Sequence, residues 1–381
     1  MNTQDLIRQA LVCFNQNQRA QGKALMLSAA QAGSVAAVLY YADLLFKEDK
    51  AAAYSYLAEQ WQQGIAGTLH RRALLRCFFD TDGSHSAAEL FDDLHQEAVN
   101  GDLQSVIALL SVLGDNTNSE FYRILLQQFS PQLSGQLLAG QNATGELMQQ
   151  PLPSLPDLEA LRQSFASGLQ QWQLFHCTDL NTEIGLVCAT AALTELECNY
   201  MMLRFGTLLQ PSLIVDPHTG AATQNPYRTG SMVAIGPEYL DWVTLAIEYK
   251  MSFFAGFARQ QGEVMNLIHY DKQQRYLPHF DAIVGDSASL AAQLPNGGQR
   301  QLTVLAYLNT VTAGGETSFP KLGIKVQARA GDLLMFRNID AAGKVLQASY
   351  HAGEPVLAGD KWLLSKWVRQ GVTDYGTLTY S

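Results

Sequence analysis

Apolar residues recur at helical spacing from Met1 to about residue 140, and at strand spacing through much of the remaining chain. A helix gathers residues three and four apart on one face, whereas a strand changes face at every residue. Three stretches of the first half share one form: AAQAGSVAAVLYYADLL from Ala29, AEQWQQGIAGTLHRRALL from Ala58 and HQEAVNGDLQSVIALLSVL from His95. In each, a helix closes at a glycine (Gly33, Gly64 or Gly101) and a second apolar helix comes after it. Glycine suits the left-handed residue just beyond a helix end. The three lie roughly 31 and 37 residues apart, the period of stacked helix pairs. Residues 1–140 are therefore expected to form an α-solenoid of helix pairs, with an irregular helical bundle as the alternative. His70, His85 and His95 have no partners at ligand spacing and are expected to pack or to face solvent.

This half is similar to Sel1-like/TPR-type repeats over about 110 residues. The resemblance implies a concave face for a peptide or protein, or a buttress for the C-terminal half. Gln141–Asp157, QNATGELMQQPLPSLPD, breaks the period with Gly145 and three prolines, so 141–173 reads as a linker and connecting helix.

Residues 174–381 are expected to form a second domain. Thr194–Phe205 reads as a helix opened by a Thr194/Glu197 capping box, and Pro237–Phe257 as an amphipathic helix. Short apolar strands then alternate with turns: VMNLIHY, QLTVLAYLN, GIKVQARA, DLLMFRN and KWLLSKWVR. Many short strands after helices predict a double-stranded β-helix, or jelly roll, flanked by helices. The chain as a whole is then multidomain, an α domain followed by an α+β one.

A length of 381 residues suits two domains. With 16% charged residues, a net charge of −10 and no basic stripe, nucleic-acid binding is not expected. No apolar stretch approaches the roughly 20 residues that span a bilayer, and the N-terminus lacks signal-peptide features. A cytoplasmic protein without membrane association is the expectation. The five cysteines show no CxxC spacing, which fits free thiols in a reducing compartment.

The candidate chemistry centres on YDKQQRYLPHFD, where His279 and Asp281 stand two apart at the end of an expected strand. They point the same way, as two members of a two-His-one-carboxylate Fe(II) triad do. The same spacing is common in surface pairs. His351 is the one histidine downstream and so the candidate third ligand; otherwise it is a loop histidine. Lys361 either points into an apolar barrel, where it needs an anion, or faces water as an ordinary strand residue.

From about Ala192 to Val368 these landmarks together resemble the prolyl 4-hydroxylase family of 2-oxoglutarate- and Fe(II)-dependent dioxygenases. They run in order: PSLIVDPHTG with YRTG, the acid of GEVMNLIHY, YDKQQRYLPHFD, GGQRQLTVLAYLNTVTAGGETSFP, AGDLLMFRN and SYHAGEPVLAGDKWLLSKWVR. The resemblance implies that His279, Asp281 and His351 bind Fe(II). It implies that Lys361 pairs with the distal carboxylate of 2-oxoglutarate, with Tyr270 and Thr317 bonding to the same co-substrate. Arg228, Glu263, Tyr276, Arg300 and Trp367 match positions of the substrate groove; read as residues alone, they fit packing and surface ion pairs equally well. Gly230 stands where the family has serine, with Ser231 a possible replacement. Gln273 stands for a glycine, and Arg369 for a histidine found in some members.

The reaction implied consumes O2 and 2-oxoglutarate, with ascorbate as reductant, and hydroxylates a proline-containing peptide or protein. Hydroxylation of another residue or a small molecule is the second reading. A non-catalytic repeat adaptor is the third.

Overall fold

A computed structural model describes residues 2–82, 85–114, 117–138, 157–215, 222–224 and 227–380. Most of the expected linker, 141–156, and part of the PSLIVDPHTG segment fall outside these. The chain splits into two compact units, Met1–Phe129 with Pro151–Ala166, and Ser130–Gln150 with Ser167–Ser381. Within them no helix is long and apolar enough to cross a membrane. None of the five cysteines forms a disulfide with another described residue.

The first unit is helical: Thr3–Asn15, Arg19–Gln31, Val35–Phe46, Lys50–Gln62, Thr68–Phe78, Ala87–Val99, Leu103–Leu113 and Glu120–Phe129, each packed on the next. Gly33, Gly64 and Gly101 take φ of 91°, 82° and 96°, so each closes a helix as its lack of a side chain permits. The helix at Thr68 opens on Gly67, which has no capping side chain. Glu97, from the following helix, accepts the Gly67 and Leu69 amides instead, at 2.9 and 2.8 Å. The histidines here are packing groups: His70 bonds Ser105, His85 bonds Asp80, and buried His95 bonds Tyr122.

The second unit is built on two antiparallel sheets, consistent with a jelly-roll oxygenase fold. The larger runs His176–Asn181, Leu186–Thr190, Leu333–Arg337, Arg300–Tyr307, Lys361–Arg369, Met265–Tyr270, Ser231–Ile235, Gln210–Pro211. The smaller runs Ile324–Val326, Thr317–Phe319, His351–Gly353, Tyr276–His279. Strand alternation sorts the large sheet's residues. Ile268, Leu305, Tyr307, Phe336 and Leu363 join Phe319 of the small sheet in the core. Leu267, Val304 and Leu364 face the other way and are also buried, under a layer that includes the helix Trp242–Ala255.

Two expectations need correcting. The helix expected over Pro237–Phe257 is a 3₁₀ turn, Pro237–Tyr239, followed by an α-helix from Trp242. Asp241 sets that start, since its carboxylate caps the Thr244 amide at 2.9 Å. Nor is the helix one-sided: almost every position from Trp242 to Ser252 is buried. The hairpin of His176–Asn181 and Leu186–Thr190 was not expected, because its outer strand is polar and largely exposed.

The helix layer carries two buried ion pairs. Lys250 reaches Glu197 at 2.7 Å, and Lys366 reaches Glu248 at 2.5 Å with both side chains 0% exposed. Tyr375 bonds the second oxygen of Glu248. Lys366→Met leaves Glu248 buried without a counter-charge, which is expected to cost about 3–5 kcal/mol. Urea unfolding followed by tryptophan fluorescence checks this.

Candidate metal centre and groove

Strand pairing assembles the centre. In the small sheet His351 lies directly opposite His279, and Asp281 stands two residues beyond. The ligand atoms of the three all lie within 4.8 Å of one another. His279 Nε2 is 3.5 Å from Asp281 Oδ1, and His351 Nε2 is 3.6 Å from Asp281 Oδ2. Each histidine Nδ1 meets a backbone carbonyl at 2.9 Å, of Leu277 and Ser349 respectively. A carbonyl only accepts, so the proton sits on Nδ1 and both Nε2 lone pairs face the carboxylate. Two neutral imidazoles and one carboxylate on one side are a donor set that fits a divalent metal such as Fe(II).

The surroundings shift two of these groups. Burial, chiefly, pushes His351 down to about 4. Burial alone would raise Asp281, yet His351, His279 and the Thr303 hydroxyl outweigh it and hold the carboxyl well below its usual range. Tyr276 stacks on His279 with ring centroids 3.5 Å apart, and Phe336 meets His351 edge-on at 4.7 Å.

A second group lies at the neighbouring strand ends. Lys361 pairs in register with Tyr270, and its ammonium stands 5.5 Å from the Tyr307 ring centroid. Tyr307 donates to Thr317 Oγ1 at 2.7 Å. Lys361 is 2% exposed, and burial pushes it down to about 8. Among the described residues it makes no hydrogen bond or ion pair. A buried ammonium left this way is a site for an anion. Tyr307 was not singled out from the sequence; its burial among the core strands gave no cue to its hydroxyl.

The expected groove residues fall into two groups flanking the metal triad. On one side Arg300 holds Glu263 through two bonds, at 2.6 and 2.8 Å, and stacks 3.8 Å from the Trp367 ring centroid. Its Nη1 lies 3.5 Å from the Asp281 carbonyl. On the other side Arg228 lies 5.1 Å from the Tyr276 ring centroid. Arg228 Nε and Trp367 Nε1 are buried donors without partners among the described residues.

The departures from the family now have geometry. Arg369 is buried, bonds Glu263, and donates to the carbonyls of Gln293 and Gly298 at 3.2 and 2.7 Å. Gln273 takes φ 70°, so the turn keeps a left-handed residue although it is not glycine, at a cost of order 1 kcal/mol. Ser231 lies opposite His269, on the face away from Tyr270, and so does not supply the hydroxyl missing at Gly230. A Cβ at Gly230 would stand 2.5 Å from the His269 carbonyl oxygen and 2.6 Å from the Tyr270 ring. Gly230→Ser is therefore expected to lower stability by about 1–3 kcal/mol and to disturb Tyr270; thermal melts and crystal structures check both.

Residues 265–369 match the 2OG-Fe(II) oxygenase superfamily. The chain is 32% identical over 198 residues to probable prolyl 4-hydroxylase 10 of Arabidopsis thaliana, a match covering 46% of this chain and 66% of that protein. It is 30% identical over 198 residues to probable prolyl 4-hydroxylase 3 of Arabidopsis thaliana, covering 47% of this chain and 67% of that protein. It thus spans about two thirds of the length of these relatives, and just under that of the first. The solved structure of the viral collagen prolyl hydroxylase from Paramecium Bursaria Chlorella virus-1, a 2OG complex, aligns with a TM-score of 0.38 and 23% identity, covering 48% of this chain and 94% of that one. The region that aligns contains the paired histidines and the lone lysine, and through it the chain belongs to the prolyl 4-hydroxylase family of the 2OG-Fe(II) oxygenase superfamily.

Proposed function

We propose that this protein is a 2-oxoglutarate- and Fe(II)-dependent dioxygenase that hydroxylates a prolyl residue in a peptide or protein. The observation that carries the reading is the pairing of two opposite electrostatic needs in one sheet sandwich. A cluster of neutral Nε2 atoms and a carboxylate needs a cation, and buried Lys361 needs an anion. A metal ion and a dicarboxylate meet both.

In this reading His279 and His351 hold Fe(II) through Nε2, and Asp281 through its carboxylate. Lys361 takes the distal carboxylate of 2-oxoglutarate, with the Tyr270 and Thr317 hydroxyls donating beside it. The bound metal and co-substrate supply O2 activation: one oxygen atom goes to succinate as CO2 leaves, and the other becomes the hydroxyl on the substrate carbon. The protein's part is orientation and exclusion of water. Tyr276, Phe319 and Phe336 wall the histidines with apolar rings. Arg228 and Trp367 offer free N–H donors to the carbonyls of an extended peptide, and Glu263 fixes Arg300 against the Trp367 face. Ascorbate would serve as the reductant.

Residues 1–140 act in this proposal as a Sel1-like/TPR-type α-solenoid that recruits the substrate polypeptide, joined through 141–173 to the dioxygenase domain, 174–381. Nearest-neighbour packing of successive helices and the left-handed glycines support it. Free cysteines suit a cytoplasmic setting.

Purified protein with Fe(II), ascorbate and 2-oxoglutarate is expected to release succinate when given proline-containing peptides, and to add one oxygen atom to proline by mass spectrometry. Absence of succinate from metal-loaded protein with every peptide would leave the adaptor reading instead. His279→Ala is expected to lose both metal binding and turnover.

The lysine adds a pH dependence. Burial depresses free Lys361 to about 8, and a bound carboxylate favours the charged form. Above that pH the free protein must take up a proton to bind, so 2-oxoglutarate affinity is expected to weaken by about tenfold per pH unit. Calorimetric titration between neutral and alkaline pH measures it.

A further inference from the structure

A carboxylate on a short side chain can turn, and Asp281 has a competing cation close by, since Arg300 Nη1 already touches its own carbonyl. Something must hold its oxygens toward the histidines. Thr303 Oγ1 lies 2.7 Å from Asp281 Oδ2, and Asn338 Nδ2 lies 2.9 Å from the same Thr303 Oγ1. Both Thr303 and Asn338 are 0% exposed.

Elementary donor and acceptor rules give this chain a direction. The carboxylate only accepts, so the threonine proton points to Asp281. The hydroxyl oxygen then accepts from the amide nitrogen of Asn338. The Asn338 Oδ1 has no partner among the described residues, a cost tolerated in the interior for keeping Nδ2 on Thr303. A turned amide would offer that oxygen to the threonine proton and release Asp281. Backbone bonds hold both residues still. Asn338 donates to the Gln301 carbonyl and accepts from Leu346, each at 2.9 Å. Thr303 sits mid-sheet, opposite Trp367 on one side and Phe336 on the other.

We propose that Thr303 and Asn338 are positioning residues for the metal carboxylate, a buried relay that fixes the Asp281 rotamer so that its charge faces the two Nε2 atoms. The inference rests on reading His279, Asp281 and His351 as a metal centre. Neither residue belongs to the donor set itself; each acts only through Asp281.

The test is metal affinity in the full-length chain, with Co(II) as probe, by calorimetry and by the visible absorption of the bound ion. Thr303→Val keeps the shape and removes the hydroxyl; it is expected to weaken Co(II) on the order of 10- to 100-fold, with a thermal midpoint near wild type. Thr303→Ser, which restores the donor, is expected to recover affinity to within about threefold. Asn338→Leu is expected to weaken binding too, since the Thr303 hydroxyl then loses the donor that orients it toward Asp281. A structural role alone would lower the melting temperature and leave the affinity of the folded protein unchanged. Thr303→Val binding Co(II) as tightly as wild type overturns the relay, and so, if that variant does not fold, does wild-type affinity in Asn338→Leu. Wild type that binds no Co(II) overturns the metal reading, and the relay with it.

Discussion

The direct opposition of His279 and His351 across two short antiparallel strands is the constraint on which the centre depends. Opposed residues share a face, so the pairing places two imidazoles from distant parts of the chain side by side, with Asp281 arriving by alternation. A slip of one residue would send His351 to the other face and dissolve the cluster. The strand His351–Gly353 is held on its far side as well, by Thr317 and Ser318 opposite Gly353 and Ala352. The register breaks between His351 and Gly353, an irregularity of the kind that re-aims side chains beside functional sites.

The strand Lys361–Arg369 shows how the interior distinguishes a structural lysine from a binding one. Alternation puts Lys361 toward the core between the sheets and Lys366 toward the helices. Both are buried, and burial pushes both ammonium groups down. Lys366 meets Glu248 at 2.5 Å, so its charge is answered within the fold. Lys361 has no such partner among the described residues. Equal burial goes with unequal pairing: Lys366 has a direct carboxylate partner, whereas Lys361 feels only the more distant charge of Glu316, which is what the proposed ligand role requires. The same strand carries Trp367 on the Lys361 face, roughly 20 Å along at 3.3 Å per residue.

Much of this was legible because it is local. Gly33, Gly64 and Gly101 announce their turns by lacking a side chain, Thr194 and Glu197 their cap, and His279 with Asp281 their shared face by spacing. His351 could be singled out as the last histidine available, and Lys361 by its apolar neighbours, although only the pairing with Tyr270 decides that it points inward. What escaped depends on partners far off in sequence. Thr303 reads as an ordinary β-branched strand residue, and Asn338 as a strand end, until the fold stacks them behind Asp281. Glu97 reads as a surface acid of an amphipathic helix, yet it caps a different helix. Asp241 was hidden by Pro237, which opens a 3₁₀ turn where an α-helix start was expected.

Two of the departures from the family pattern, Gly230 and Arg369, follow from packing and hydrogen bonding. Gly230 leaves space that the Tyr270 ring and the His269 carbonyl already fill, so the missing hydroxyl is a consequence of packing. Arg369 does what a shorter imidazole could not. One guanidinium reaches Glu263, the Gln293 carbonyl and the Gly298 carbonyl together, tying the segment before Arg300 to the end of the Lys361–Arg369 strand. Gln299 continues the tie by bonding both the amide and the carbonyl of Ile283, at 2.6 and 2.9 Å. In the proposed function this braced segment is a groove wall, with little freedom left to lose when a peptide binds. Such preorganisation favours selectivity for one chain conformation over accommodation of many.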